Sequence, residues 1–354
     1  FPFVQPYFGL GNSLQTAQAA SGGGGIGGWV ELARTTLGST SDDINVSSIS
    51  DKRYYMVLTD FQDSSNIQPG IRLGNSSLDS GANYAERWST NGGAESTVSS
   101  NTYHLQWVDV SGKTKPIFGV SYIANKSANE KLGISHIMNP NTAGASNAPD
   151  RQESVFKWTN TSNPLDILGY NNKGSGDFNT GSEVVVLGWD PADTHTTNFW
   201  EELASVEGDG TSAILDSGTI LAKKYIWVQV FADTGSTASY GVAINSDTGS
   251  NYAWRESRNG GGDSALTSQT EMQLTGGDPD PVLINGFMIN NSANEKLCLW
   301  NINQGNSAGA GIAPDRREQV GKWTNTSSQI TKLEIKATAG NFTANSIIKV
   351  WGSD

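Results

Sequence analysis

Two short stretches of the chain carry the same ionisable side chains at the same spacing. Asp150-Arg151-x-Glu153 recurs as Asp315-Arg316-x-Glu318, inside segments 148–162 and 313–327 that match at 12 of 15 positions with an offset of 165 residues. Two carboxylates this close could divide general acid–base work, one protonated and one ionised. Each set, however, brings its own Arg, and a Lys follows four residues after the Glu, at Lys157 or Lys322. Neighbouring cations hold carboxylates ionised and make good structural pairs. Asp150, Arg151, Glu153, Asp315, Arg316 and Glu318 are therefore expected to form structural ion pairs, a loop staple leading into a strand that plants Trp158 or Trp323 in each core.

The remaining chemistry-bearing residues form no pattern. His104, His136 and His195 are scattered, and His136 is matched in the second copy by Asn301. No HExxH, CxxC or EF-hand spacing, no GxSxG and no Ser-His-acid set is apparent, so no catalytic residue, metal ligand or cofactor is expected. Gly277-Asp-Pro-Asp-Pro281 offers Asp278 and Asp280 to a cation but reads more simply as a solvated turn, and Gly22–Gly28 lacks the lysine of a phosphate-binding loop. Cys298 stands alone and has no internal disulfide partner. Of the eleven tryptophans, Trp29, Trp158, Trp200 and Trp323 recur in both copies and are expected in cores. Trp88, Trp107, Trp254 and Trp300 lie where the copies differ and are candidate surface contacts, for instance with a glycan.

The elements that position these residues follow from the duplication. Trp29-Val-Glu-Leu-Ala matches Trp200-Glu-Glu-Leu-Ala, Asp79-Ser-Gly-Ala-Asn-Tyr-Ala-Glu-Arg matches Asp247-Thr-Gly-Ser-Asn-Tyr-Ala-Trp-Arg, and Val186–Asp190 matches Val350–Asp354. The offsets drift from 171 to 164, so insertions sit between motifs. This organises the chain as an arm over 1–28, copy one over 29–190, a linker over 191–198 and copy two over 199–354, each copy long enough to build its own core. Gly, Ser, Thr and Asn abound and only 16% of residues are charged, which favours all-β structure. Strand signals recur at Tyr54–Leu58, Gly70–Leu73, Leu105–Val110, Pro116–Ala124, Leu132–Met138, Ser154–Trp158 and Glu183–Leu187. Lys224–Phe231 is apolar on both faces, as a strand covered on both sides must be, whereas Lys332–Lys336 alternates. Asn91-Gly92 and Asn259-Gly260 signal hairpins. Only Ser13–Ala20 hints at helical periodicity. Eight or nine strands per copy suggest two tandem jelly-roll-like β-sandwiches behind an extended N-terminal arm, whose Phe1, Phe3, Tyr7, Phe8 and Leu10 suit a docking segment.

A net charge of −12, from 23 basic against 35 acidic residues, with no basic run, argues against nucleic acid. No apolar run is long enough for a membrane-spanning helix. The shared motifs, from Leu37-Gly-Ser and Asp-x-Gly-x-Asn-Tyr-Ala-x-Arg through Asn-Gly-Gly, Glu-Lys-Leu and Ala-Gly-Ala-x-x-Ala-Pro-Asp-Arg-x-Glu to the terminal Val-x-Gly-x-Asp, resemble those of β-rich virion proteins of marine tailed bacteriophages over residues 29–354. The resemblance implies a capsid decoration or fibre component and transfers no functional residue. The expected function is thus a non-enzymatic structural protein of a virion or extracellular surface, homo-oligomeric with a trimer favoured, its arm docking onto neighbouring subunits or other virion proteins. A glycan- or receptor-binding tandem adhesin and a double jelly-roll major capsid protein are the alternatives.

Overall fold

The computed structural model describes residues 28–62, 66–106, 116–193, 198–277, 281–305 and 309–354. The arm residues Phe1, Phe3, Tyr7, Phe8 and Leu10, the segment Ser13–Ala20, Trp107, His195, Asp278 and Asp280 lie outside the described residues, as does most of the expected strand Leu105–Val110.

Copy one contributes β1 (Val30–Thr36), β2 (Asp43–Ser47), β3 (Tyr54–Phe61), β4 (Pro69–Asn75), β5 (Ser77–Leu78), β6 (Tyr84–Thr90), β7 (Ser96–Asn101), β8 (His104–Leu105), β9 (Ile117–Ala124), β10 (Lys131–Asn139), β11 (Asp150–Trp158), β12 (Ile167–Asn172) and β13 (Glu183–Trp189). Copy two repeats the series as β14 (Glu201–Glu207), β15 (Ile214–Asp216), β16 (Tyr225–Ala232), β17 (Tyr240–Ile244), β18 (Tyr252–Arg258), β19 (Ser264–Gln269), β20 (Met272–Gln273), β21 (Val282–Ile289), β22 (Lys296–Gln304), β23 (Asp315–Trp323), β24 (Leu333–Ala337) and β25 (Ile347–Ser353). Strands outnumber the expected eight or nine because β5, β8 and β20 are two-residue pieces and β7 lies on an exposed edge without alternation.

Each copy is a sandwich of one large and one small antiparallel sheet. The large sheets run β1-β13-β3-β9-β10-β11-β6-β7 and β14-β25-β16-β21-β22-β23-β18-β19; the small ones run β2-β12-β4-β5, with β8 on β4, and β15-β24-β17-β20. First pairs with last and second with penultimate, the nested wrapping of a jelly roll. The fold is all-β, two tandem sandwiches, as the composition and strand spacing imply.

The motifs shared by the copies tie each sandwich together. Asp79 accepts hydrogen bonds from Trp158 Nε1 at 2.8 Å, Gly81 N at 2.8 Å and Asn83 Nδ2 at 2.8 Å. Asp247 holds Trp323 Nε1 at 2.7 Å in the same way, with Gly249 and Asn251 completing the turn. Tyr84 and Tyr252 then pin the adjacent strands through the backbone of Leu73 and Ile244. In both hairpins the Asn and Gly take positive φ, and Gly93 N and Gly261 N close onto Thr90 O and Arg258 O at 2.9 Å, the turn that only such residues adopt cheaply.

Alternation along the large-sheet strands feeds two different cores. On β3, Tyr55, Val57 and Phe61 face the small sheet of copy one while Met56 and Leu58 face copy two; on β16, Ile226, Val228 and Val230 face inward and Tyr225 and Trp227 face copy one. The two large sheets therefore share a third apolar core of Met56, Leu58, Phe118, Val120, Met138, Val185, Leu187, Phe199, Trp200, Tyr225, Trp227, Phe287 and neighbours. This explains the doubly apolar Lys224–Phe231: its strand is buried on both faces at Tyr225–Val228, while Phe231 at its far end is exposed. Lys332–Lys336 follows its alternation in part: Leu333 and Ile335 are fully buried, but Glu334 between them is buried as well, where it pairs with Lys332 and Lys336. The result is four β layers fused into one block.

Candidate functional site

The repeated Asp-Arg-x-Glu residues lie on strands, not in loops, because β11 and β23 begin at Asp150 and Asp315. Their local work is identical in both copies. Asn91 Nδ2 donates to Asp150 at 2.9 Å and Asn91 Oδ1 accepts from Arg151 N at 3.0 Å; Asn259 makes the same bonds to Asp315 and Arg316 N at 2.8 and 2.9 Å. The hairpin tips are thus stapled to the start of the neighbouring strand. Beyond that, alternation sends Arg151 and Glu153, and Arg316 and Glu318, to the face between the two copies.

There they meet across a cavity of about 500 Å³. Arg151 forks onto Asp263 of copy two, Nη2 to Oδ1 at 2.6 Å and Nε to Oδ2 at 2.9 Å, and also pairs with Glu153. His136 Nε2 stands 3.1 Å from Glu153 Oε1, and Arg316 Nε stands 2.8 Å from Glu318 Oε1. Burial alone would raise the Glu153 carboxyl, but His136 and Arg151 outweigh it and hold it below its ordinary value. Glu318 goes the other way: burial raises it, and the Glu153 carboxylate adds to the effect against the pull of Arg316 and Arg151. Tyr122, Ile134 and Val155 complete one wall, Phe287, Leu299 and Asn301 the other, with Trp88 and Ser154 at the border. The arrangement combines aromatic and apolar surface with carboxylate, guanidinium and amide groups, suited to holding an extended or ring-shaped ligand by stacking and hydrogen bonds.

The candidate surface tryptophans separate. Trp88 is half-buried and borders this cleft, on the strand face it shares with Glu86 and Ser154. Trp254 and Trp300 are corrections: both are buried in the core of copy two, because each replaces a small or polar side chain of copy one and fills the space between the sheets. A Cβ on Gly286 would sit 2.2 Å from the Trp300 ring, so that glycine opposite is what admits the indole. Trp29, Trp158, Trp200 and Trp323 behave as expected of shared positions: Trp158 and Trp323 lie in the two sandwich cores, Trp200 in the core between copies and Trp29 at its edge.

One constellation escaped sequence reading. Glu86, His104 and Ser154 converge inside copy one: Glu86 Oε2 meets His104 Nδ1, and His104 Nε2 lies 3.2 Å from Ser154 Oγ. The order is that of a hydrolase triad, brought together from strands 18 and 50 residues apart. The imidazole is fully buried and stacks on Phe156 at 4.2 Å, and Glu86 also accepts from Leu105 N at 2.8 Å. Ser154 Oγ points into the sandwich interior beside the Ser121, Ser135 and Gln106 network, so it is the core's polar filling. Cys298 is likewise fully buried, and burial pushes its thiol up. Among the described residues no cluster of three metal-ligating side chains occurs.

No family model and no curated protein matches the chain. Among solved structures it is similar to the LG1-3 region of the laminin alpha2 chain (9% identity, TM-score 0.22, 88% of this chain) and to domains LG4-5 of the mouse laminin alpha1 chain (11% identity, TM-score 0.20, 92% of this chain and 90% of that one). The chain spans 59% of the length of the first.

Proposed function

We propose that the chain is a non-enzymatic structural component of a virion or extracellular surface assembly, a capsid decoration or fibre part whose arm joins neighbouring subunits in a homo-oligomer, with a trimer favoured. The observation that supports it most is the third core: two sandwiches that could each stand alone are welded large sheet to large sheet into a four-layer block. Such fusion suits a rigid building piece, since interfaces of this apolar kind resist domain motion. The shared polar motifs point the same way, because Asp79, Asn83, Tyr84, Trp158 and their copy-two equivalents are absorbed in holding the fold. The test is deletion of residues 1–28 followed by mass measurement in solution and incorporation into particles or filaments. Loss of the oligomer supports the reading; unchanged assembly and incorporation sink it.

A further inference from the structure

The cleft between the copies is built unequally. Its copy-one wall carries Tyr122, Ile134 and Val155, which are 37%, 62% and 48% exposed. Their equivalents 165 residues later, Phe287, Leu299 and Val320, are 4%, 2% and 0% exposed, because the large sheet of copy one lies over them in the shared core. At the cleft the two sheets stand apart by the cavity of about 500 Å³, and the copy-one side chains are left facing it. That volume falls in the range of small-molecule sites, which favour junctions between domains. Ile134 stands opposite Tyr122 on β9 and Val155 on β11, so the three form one apolar row across three strands, roughly 10 Å long. Large apolar side chains that are contiguous and open to water mark a surface that takes a partner.

The polar groups around the row decide the class of that partner. The guanidinium groups come already matched: Arg87 with Glu95 at 2.6 Å, Arg316 with Glu318 at 2.8 Å and Arg151 with Asp263 at 2.6 Å, while His136 stands against Glu153. Among the described residues of the cleft no cation is left over for a phosphate, sulfate or carboxylate. Each pair nevertheless keeps spare N–H donors and carboxylate lone pairs. Asn301, exposed on the opposite wall, adds an amide that takes no side-chain hydrogen bond among the described residues. The backbone groups of β10 and β11 are consumed in their ladders, so a peptide laid here would find no main-chain partners. The ligand that fits has C–H faces for the apolar row and a rim of hydroxyls that both donate and accept. A neutral sugar has both.

We propose that this cleft binds a neutral oligosaccharide, its rings stacked along Tyr122, Ile134 and Val155 and its hydroxyls bonded to Asn301, Arg316 and Glu318. The site adds a ligand to the surface role proposed above and does not involve the arm.

The test is saturation-transfer NMR and titration of the full chain with short neutral oligomers of glucose, mannose and galactose, alongside sulfated and uronic acid oligomers as charged arms. A neutral oligomer should bind. Tyr122→Ala should weaken it about tenfold and Asn301→Ala about fivefold, whereas Ile214→Ala, on the small sheet of copy two, should leave it unchanged. Silence of the neutral oligomers at millimolar concentration overturns the site, and so does binding that ignores both substitutions in the cleft. Tighter binding of the charged oligomers overturns the neutral class. Tyr122, Asn301 and Ile214 are all exposed, and unchanged unfolding midpoints of the variants verify that the fold is intact. Deletion of residues 1–28 should leave sugar binding intact. Loss of sugar binding with assembly kept, or of assembly with sugar binding kept, therefore tells a failure of the cleft from a failure of the assembly role.

Discussion

Arg151 and Arg316 occupy the same place in the same motif, yet Arg151 is 2% exposed and Arg316 side chain 65%. Both stand beside an Asn-stapled aspartate, and both have a glutamate two residues on. The difference is what faces them: Arg151 meets Asp263 on the hairpin of copy two, while Arg316 borders the open side of the cleft. Duplication kept the local device and the packing of the copies gave one of the two arginines a second role.

The interiors diverge along the same lines. Glu86, His104, Ser121, Ser135 and Ser154 of copy one correspond in register to Trp254, Met272, Gly286, Trp300 and Gln319 of copy two. Copy one fills this volume with a hydrogen-bonded network, copy two with indole and thioether. Two neighbouring positions even exchange roles, Glu86 and Trp88 against Trp254 and Glu256, the latter glutamate being paired with Arg317 at 3.1 Å. One backbone thus admits two packings, the polar one tied together by the hydrogen bonds that join Glu86, His104 and Ser154 and those among Gln106, Ser121 and Ser135.

The largest way to break this contrast is Trp300→Ala. It should cost about 3–5 kcal/mol in denaturant unfolding, since a buried indole leaves a hole that β-sheets close poorly. A loss near zero would mean that copy two can borrow the looser interior of copy one. Next, Arg151→Ala should cost about 3 kcal/mol because it leaves Asp263 in the interface with only Arg255, at 3.9 Å, whereas Arg316→Ala should cost under about 1 kcal/mol. Equal losses would show that the exposure difference has no energetic meaning. Glu86→Leu should cost about 1–3 kcal/mol by leaving His104 Nδ1 and Leu105 N without an acceptor, and thermal unfolding of the variant against wild type reads it directly.

The smallest effect is a pH dependence. Burial lowers Lys296 to about 8 from its ordinary 10.5. Its ammonium bonds to Asn294 O and Asn325 O and lies 5.9 Å from the Trp323 ring centroid. Between these two pH values the unfolded chain holds the proton and the folded chain has released it. Stability from this group therefore rises with pH across that window, its cost being present in full below about 8. Unfolding free energies at pH 7.5 and 9.5 should show the rise in the wild type and a flatter profile in Lys296→Met.

Much of the fold was legible because period-2 alternation and turn chemistry are local. The strands at Tyr54, Lys131 and Glu183, both Asn-Gly hairpins and the doubly covered Lys224–Phe231 are written in adjacent residues. The weakly patterned edges β1 and β7 were not, since exposed strands carry little apolar code, and β2 alternates Ile44 and Val46 inward over only five residues. For the site, the pairing of Arg316 with Glu318 and of Arg151 with Glu153 follows from spacing alone. The placing of Trp254 and Trp300 did not: dissimilarity between copies looked like surface freedom and proved to be a second solution to the same core.

By itself the sequence determined that the chain is β-rich, that it is built twice on one plan, and that its shared polar motifs serve that plan, because each of these follows from composition, periodicity and repetition. Only the tertiary structure decided that the copies face each other with their large sheets, that Arg151 crosses to Asp263, that Glu86, His104 and Ser154 converge, and that one apolar strip is left open where its twin is covered. Those outcomes depend on which surfaces meet across 100 residues or more of chain, and no spacing within the sequence encodes that.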